Sequence, residues 1–234
     1  IAAGVVEIAY SKERIWSNEV GVLLGEPTDN YNLGFSFYWN EVSDYQFEKP
    51  SGAFDYFVDN AEEAEIKGLE VDFTASPAEG WTFNATYGLS NSKINKHSGS
   101  SYNTAYDRFD PAADPRTAIS GPHDFAGKDL PFTPEHTLSV SLAHQLTDNL
   151  SWSVGVKNIG ETHYLNQRAE DTVNESYTLL DASIGYKHNG WGVGVFGTNL
   201  TDEEYYSSLV SNLSGAPGIV GSPRVIGLSI SKEF

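Results

Sequence analysis

The stretch Trp81-Thr82-Phe83-Asn84-Ala85-Thr86-Tyr87-Gly88-Leu89-Ser90 decides how this chain folds. Every odd position in the stretch carries an apolar side chain, and every even position carries a small or polar one. Successive side chains of a β-strand point to opposite faces of the sheet, so this alternation predicts a strand with one apolar and one polar face. What each face contacts then decides the kind of β-protein.

The same alternation recurs along the chain, and in total it predicts about nine strands. The apolar positions of the other eight strands share the period of two. They are Val20, Val22 and Leu24; Tyr31, Leu33, Phe35, Phe37 and Trp39; Leu69, Val71, Phe73 and Ala75; Leu138, Val140 and Leu142; Leu150, Trp152, Val154 and Val156; Leu180, Ala182, Ile184 and Tyr186; Trp191, Val193 and Val195; and Ile226, Leu228 and Ile230.

The connections between the predicted strands alternate between short and long, and the short ones are rich in turn-forming residues. Short turns fall at residues 25–29, 76–80, 147–149 and 188–190, and long polar stretches fall near residues 42–64, 95–132, 160–176 and 202–223. This alternation is typical of an up-and-down meander whose long loops all lie at one end. Every short turn falls at the end of the predicted sheet where Phe234 closes the chain.

The polar face distinguishes a membrane barrel from a soluble sandwich or a lipocalin-like barrel, because all three alternate. In this chain that face is rich in small hydroxyl-bearing residues and glycine. Examples are Thr137, Ser139 and Ser141 on one strand and Ser151, Ser153 and Gly155 on the next. Solvated faces of soluble sheets usually carry more Lys and Glu. The composition therefore favours a polar lumen on this side and lipid on the apolar side.

Aromatic residues mark both ends of the predicted strands, as expected at two membrane interfaces. Tyr31, Trp81, Tyr186, Trp191 and Phe234 lie near the short turns, and Trp39, Tyr87, Tyr164, Tyr205 and Tyr206 lie toward the long loops. An alternative interpretation is that these aromatic residues fill a soluble core. We predict an all-β fold, a transmembrane antiparallel up-and-down β-barrel.

Composition excludes several other classes of protein. The chain of 234 residues has 14 Lys and Arg against 32 Asp and Glu, a net charge of −18 that argues against nucleic acid as a partner. It contains no Cys, which excludes disulfides and thiolate metal sites. No run of 18 apolar residues occurs, so a membrane-spanning helix is excluded, whereas barrel strands leave no such run.

Two segments repeat one pattern, in which Asn and an aliphatic residue precede an acidic residue and then Tyr. They run from Asn158 through Glu161 to Tyr164 and from Asn199 through Asp202 to Tyr205, each where a strand enters a long loop. Together with the closing stretch 221–234 and its terminal Phe234, they resemble the C-terminal barrel of the TonB-dependent receptors. Stretches 18–22 and 60–70 are also similar to strands of that family.

The resemblance implies a larger barrel of 22 strands in a Gram-negative outer membrane, with a plug domain inside and an N-terminal segment, the TonB box, that contacts TonB. Residues 1–234 would then be the C-terminal portion of the barrel, about nine strands, and the plug is absent from this chain. Unpaired sheet edges cannot face lipid, so we expect the chain to be incomplete or closed by another chain. The implied partners are the TonB complex acting through the plug, outer-membrane lipid and lipopolysaccharide, the barrel assembly machinery, which would read Phe234, and a siderophore-like ligand.

No catalytic constellation or cofactor motif is found, so we expect neither an enzyme nor a cofactor. The six histidines lack metal-ligand spacing, and no metal site is predicted from them. They are His97, His123, His136, His144, His163 and His188. The acidic stretch from Glu41 to Glu65 is either a solvated loop or an oxygen-rich site for divalent cations such as Ca²⁺.

The long loop after Ile94 is the candidate ligand-binding site, because Arg and aromatic side chains suit an anionic iron chelate. The candidate residues are Tyr102, Tyr106, Arg108, Phe109, Arg116 and His123. The alternative is a mobile loop that shields the barrel mouth. The expected function is TonB-dependent uptake of a scarce solute, with a ferric siderophore as the default. A passive porin or structural barrel and a soluble β-sandwich binding module are the rival interpretations.

Overall fold

The computed structural model describes residues 11–26, 29–50, 56–97, 101–102, 121–122, 125–165, 171–209 and 218–233. Within these residues the regular structure is fifteen β-strands, and there is no helix long and apolar enough to cross a membrane. The strands are Arg14–Leu24 (β1), Tyr31–Pro50 (β2), Tyr56–Ala75 (β3), Trp81–Lys96 (β4), Ser101–Tyr102 (β5), Gly121–Pro122 (β6), His136–Thr147 (β7), Leu150–Ile159 (β8), Thr162–Leu165 (β9), Asp171–Asn174 (β10), Tyr177–His188 (β11), Trp191–Thr198 (β12), Tyr206–Leu209 (β13), Gly218–Val220 (β14) and Val225–Lys232 (β15).

Nine of the strands form one antiparallel sheet in the order β1-β2-β3-β4-β7-β8-β11-β12-β15. Each strand in this sheet pairs with the next one along the chain, which is the predicted up-and-down meander. The remaining strands form three two-stranded pairs, β5–β6, β9–β10 and β13–β14, all within the long loops. The prediction of about nine strands is confirmed by the large sheet.

The strand register places the apolar positions of neighbouring strands side by side. One row runs from Ala85 to Val140, Val156 and Leu180 across four strands. The apolar face is not a dry interior: Phe83, Val140 and Val154 are only half-buried. Leu228 is 64% exposed, and no second layer of described residues covers this face of the sheet. A broad apolar surface of this kind contacts lipid in a membrane barrel.

The opposite face carries the predicted small polar side chains, and several of them are hydrogen-bonded across strands. Asn84 donates from Nδ2 to the Oγ of Ser141 at 3.4 Å, and Thr74 Oγ1 donates to the Oδ1 of Asn84 at 3.2 Å. The hydroxyls of Ser153 and Ser183 are 2.8 Å apart. These cross-strand pairs stabilise a surface that is wetted rather than packed against a core, as the lumen side of a barrel is.

Two aromatic side chains on the lumen face lie over glycines of the adjacent strand. Tyr38 pairs directly with Gly68, and Phe196 pairs directly with Gly227. A Cβ added to either glycine would overlap the aromatic ring. The ring therefore occupies the space that any other residue at the glycine position would need, an arrangement that stabilises glycine in a strand.

The short turns use positive backbone φ angles, as tight hairpins require. Asn189 and Gly190 form the two-residue turn between β11 and β12, with φ values of 50° and 74°. Gly25 and Gly80 have φ values of 97° and 77° in two other short connections. The predicted short turns are thus built from residues that tolerate this conformation.

The aromatic residues near the short turns occupy the positions predicted for a membrane interface. Tyr31, Tyr186 and Trp191 are 48–54% exposed on the outside of the sheet. Trp81 stacks on the ring of His144 at 4.0 Å and meets Trp152 edge-on. Half-exposed aromatic rings of this kind suit the boundary between lipid and water.

The predicted loop-side belt is wrong at one position, Tyr164. This side chain is only 5% exposed, because the ring of Phe132 packs edge-on against it at 5.0 Å. Trp39, by contrast, is 38% exposed and donates from Nε1 to Glu65 at 3.0 Å. The sequence showed where Tyr164 lies along its strand but not which segment of loop covers it.

The polar stretch near residues 42–64, predicted as a long connection, is largely strand. The strands β2 and β3 continue to Pro50 and from Tyr56, so only residues 51–55 separate them. Above the bilayer the outer face of the sheet meets water, so acidic residues replace apolar ones there; for example, Glu41 lies opposite Glu65. The apolar–polar alternation is lost at that level, and the strand pattern was missed.

Candidate functional site at the long-loop end

A segment of the longest loop, residues 125–135, returns to the sheet and pairs with the loop end of β4. Ile94 donates its backbone N–H to Lys128 at 2.9 Å, and Gly127 donates to Ile94 at 2.7 Å. Further down, Ser90 donates to the carbonyl of Glu135 at 2.8 Å. The returning segment thereby satisfies backbone groups of β4 that no neighbouring strand reaches.

The returning segment covers a small apolar core on the lumen side of the sheet. Phe125 and Leu130 are each 2% exposed and pack with buried residues of β2, β3 and β4. Those residues are Val42, Ala61, Ala64 and Ile94. Val42, Ala64 and Ile94 are register partners, and alternation places them on the same face as the polar lumen residues below. The loop is therefore folded inward, over the mouth of the barrel.

Tyr45 lies at the edge of this core, outside the membrane-spanning part of β2. Burial, with a smaller contribution from the negative charge of Glu13, raises the pKa of Tyr45 above its ordinary value of 10.0. The phenol of Tyr45 therefore stays uncharged next to the core at any physiological pH.

Two acidic residues of β3 are ion-paired with neighbouring lysines. Lys67 lies 2.8 Å from Glu65, and Lys96 lies 3.3 Å from Glu62. These pairs lie on paired strands rather than in a loop, which corrects the picture of a solvated connection. An ion-paired strand surface has less need of a bound cation than an unpaired acidic cluster.

A second group of charged side chains, Glu135, Glu161 and His163, gathers where the returning segment meets β9. One ligand atom from each lies within 4.8 Å of the others. His163 Nε2 is 3.2 Å from Glu161 Oε1 and 3.7 Å from Asp129 Oδ2. The Nδ1 of His163 is buried without a hydrogen-bond partner among the described residues, so the ring interacts through Nε2.

The first of the repeated motifs begins at Asn158 of β8, whose side chain bonds to both neighbouring strands, β7 and β11. Its amide nitrogen donates to the carbonyl of Tyr177 at 3.1 Å and to the hydroxyl of Thr178 at 2.9 Å. Its amide oxygen is 2.8 Å from Nε2 of His136 on the other side. One side chain thus bridges three strands where they leave the bilayer.

The second motif, at Asn199, holds the start of a long loop. Asn199 is 3% exposed and donates to the carbonyls of Glu203 and Ser222 at 2.9 and 3.0 Å. Its Oδ1 accepts from the backbone N–H of Glu203 at 2.8 Å. A left-handed φ of 47°, which Asn tolerates better than most residues, aims the amide into this position.

The acid of the second motif caps the far side of the same loop. Asp202 accepts the backbone N–H of Arg224 at 3.0 Å, and its other oxygen pairs with the Arg224 guanidinium at 3.2 Å. With these bonds the Asn and the acid of the motif both cap loop backbone. The second motif therefore fastens its loop to the sheet.

Most of the candidate ligand-binding residues lie outside the described residues. Those that do are Tyr106, Arg108, Phe109, Arg116 and His123, together with Phe234, which was predicted as the assembly signal. Tyr102 belongs to β5, where its backbone pairs with Gly121 of β6. A further described part of the same loop, residues 125–135, lies over the lumen side and leads back into β7.

The grouping of Glu135, Glu161 and His163 was missed by sequence reasoning. Glu161 and His163 are two residues apart, which places them on one face of an extended chain, and this spacing was the available signal. Glu135 lies 26 positions before Glu161, so only the pairing of the loop with β9 brings it close.

Comparison with known proteins gives one family over most of the chain. A family model described as TonB dependent receptor-like, beta-barrel matches residues 5–200. The catecholate siderophore receptor Fiu of Escherichia coli (strain K12) is 34% identical over 110 residues, which are 45% of this chain and 14% of Fiu. The chain spans about one seventh of the length of this curated relative.

Solved structures resemble the fold along nearly the whole chain. The ferric yersiniabactin uptake receptor FyuA from Yersinia pestis superposes with a TM-score of 0.71 at 19% identity, over 95% of this chain and 30% of FyuA. The siderophore receptor PiuA from Acinetobacter baumannii gives 0.72 at 14% identity, over 93% of this chain and 28% of PiuA. At these identities the likeness shows a shared fold.

Proposed function

Because the chain belongs to the TonB-dependent receptor-like β-barrel family, we propose that it forms wall and loops of a receptor that imports a ferric siderophore. The chain is an outer-membrane protein of a Gram-negative bacterium, where the barrels of this family lie. The observation that carries the proposal is the family match over residues 5–200 on a sheet with a lipid face and a polar face. Such a protein binds and moves its ligand and has no catalytic role.

The inward fold of residues 125–135 supports a receptor over a passive porin. A porin conducts through an open aqueous bore. Here Phe125 and Leu130 are buried on the lumen side of the sheet, above the level of the bilayer. A loop packed in this way narrows the mouth and presents a surface to a ligand arriving from outside.

The lumen face near the short turns has room for a domain packed against it. Gly185 pairs with Gly194 on one side and with Ser151 on the other. Small residues leave this part of the wall flat, so another chain segment can approach the backbone closely. In our proposal a plug domain outside residues 1–234 lies there, and its N-terminal segment contacts TonB.

The ligand class follows from the names of the relatives and from the loop chemistry. Fiu is named a catecholate siderophore receptor, and FyuA a ferric yersiniabactin uptake receptor. Arg108 and Arg116 can donate charge-assisted hydrogen bonds to an anionic ferric chelate. The remaining candidates, Tyr102, Tyr106, Phe109 and His123, would stack on or bond to its rings. We propose a ferric catecholate as the first ligand to test.

Uptake of radioactive iron separates the receptor from the porin. We expect a strain lacking this protein to lose uptake of its ferric siderophore to background, and the restored strain to lose it again when TonB is deleted. The measurement is cell-associated iron over time with a panel of ferric catecholate and other chelates. Uptake that persists without TonB would overturn energy coupling and favour the porin.

Replacing both Arg108 and Arg116 with Ala should weaken ligand binding at least tenfold. Each charge-assisted hydrogen bond contributes about 1.5–3 kcal/mol, and 1.4 kcal/mol corresponds to a factor of ten. Tryptophan fluorescence titration of the purified protein with the ferric chelate measures the Kd. The matched control is Arg224→Ala, since Arg224 is held by Asp202 at 3.2 Å and should change affinity less than twofold. Unchanged affinity in the double variant would exclude these arginines from the site.

A further inference from the structure

We propose that Glu135, Glu161 and His163 bind one zinc-class divalent metal ion, with the carboxylate of Asp129 close to the histidine. The three residues bring one imidazole nitrogen and two carboxylates together, with their ligand atoms within 4.8 Å of one another. The proposed site lies where the returning segment pairs with β9. It does not depend on which solute the receptor imports.

The separation of His163 and Glu161 is that of two ligands that share one ion. In a tetrahedral site the metal lies about 2.0–2.2 Å from N and O ligands, which places two ligand atoms about 3.3 Å apart. His163 Nε2 is 3.2 Å from Glu161 Oε1 and 3.7 Å from Asp129 Oδ2. The carboxylate of Glu135, which has an oxygen within 4.8 Å of the other two ligand atoms, would move closer to reach the same ion.

The group carries a net negative charge, which favours binding of a cation. Three carboxylates surround one imidazole, and even a protonated ring would offset only one negative charge. A divalent ion at Nε2 offsets more of the negative charge and uses the ring nitrogen that faces the carboxylates.

The ligands are held in place by backbone pairing and not by side-chain packing alone. Glu135 donates its N–H to the carbonyl of Glu161 at 3.0 Å, and Phe132 donates to the carbonyl of His163 at 3.0 Å. This pairing fixes the separation of the two segments before any ion arrives. A bound ion would in turn fasten the returning loop to β9.

The mixed donor set favours zinc over calcium or magnesium. Calcium and magnesium prefer oxygen ligands throughout, whereas an imidazole nitrogen suits zinc and its neighbours in the transition series. Glu161 and Asp129 are 43% and 38% exposed in their side chains, so an ion can enter from solvent.

Zinc titration of the mature outer-membrane protein tests the site. The protein is purified in detergent, stripped with a chelator and titrated with zinc chloride against a chromophoric competitor, without siderophore. We expect one zinc ion per chain with micromolar or tighter affinity, and at least tenfold weaker binding in His163→Ala and in Glu161→Gln. Bound Co²⁺ should give visible absorption bands that the same variants lose.

The matched control is His188→Ala, a histidine in the short turn at the opposite end of the sheet. Its zinc affinity should equal that of the unchanged protein, and heat-modifiable migration on gels verifies that every variant is folded. A stoichiometric site that survives in His163→Ala, equal loss in His188→Ala, or no zinc binding would each overturn the proposal. Equal competition by Ca²⁺ would also overturn it. Because no siderophore is present, these outcomes are independent of the uptake result.

Discussion

Replacing Val154 with Arg should lower the free energy of unfolding from a lipid bilayer by about 2–4 kcal/mol, the cost of a cationic side chain near the bilayer midplane. Val154 lies midway along the apolar face of β8, between Trp152 near the short turn and Asn158 near the loops. Its register partners are Leu142 and Ala182. A guanidinium at this position has only hydrocarbon and apolar side chains around it.

The neighbouring variant Ser153→Arg is the matched control, because it changes the opposite face of the same strand. Ser153 hydrogen-bonds Ser183 at 2.8 Å on the lumen face, and losing that bond costs about 1 kcal/mol. Denaturant unfolding in liposomes of both variants measures the difference. If the two substitutions cost the same, the lipid and lumen faces have been wrongly assigned.

Replacing Phe125 with Ala should detach the returning loop from the sheet without unfolding the barrel. Phe125 is 2% exposed in the core of Val42, Ile94 and Leu130, and deleting a buried Phe side chain costs about 3–5 kcal/mol. This core stabilises the loop alone, so the loss is local. Hydrogen exchange at the amides of Ile94 and Gly127 should accelerate by about two orders of magnitude or more.

Phe132→Ala is the matched control for Phe125→Ala, in the same loop and with the same change of side chain. Phe132 is 67% exposed and contacts Tyr164, outside the core around Phe125, so its truncation should leave the exchange of both amides nearly unchanged. Amides in the middle of β8 should stay protected in both variants. Global loss of protection in Phe125→Ala would show that the loop core supports the whole sheet.

The membrane-spanning sheet could be predicted from sequence because lipid imposes a strict rule on it. In the bilayer one face must be apolar along every strand, as at Phe83 and Val140, and the period of two becomes visible. The short turns could also be predicted, as at Asn189 and Gly190, because these residue types permit positive φ.

The loop end could not be predicted, because water there removes the constraint on the outer face. The continuation of β2 to Pro50 and the burial of Tyr164 under Phe132 both depend on partners far along the chain. The same is true of Glu135 and His163, which meet only when the loop returns to β9. The sequence gives the chemical character of each of these residues but does not predict which residues it contacts.

The aromatic rings over Gly68 and Gly227 bear on how the strands find their alignment. A register shift of one residue turns the apolar side chains of a strand to the polar face, so it is strongly unfavourable. A register shift of two residues keeps every apolar side chain on the lipid face. Such a shift would press Phe196 onto Val225 or Ser229 in place of Gly227. The rings therefore disfavour register shifts of two residues, which the hydrophobic pattern does not disfavour.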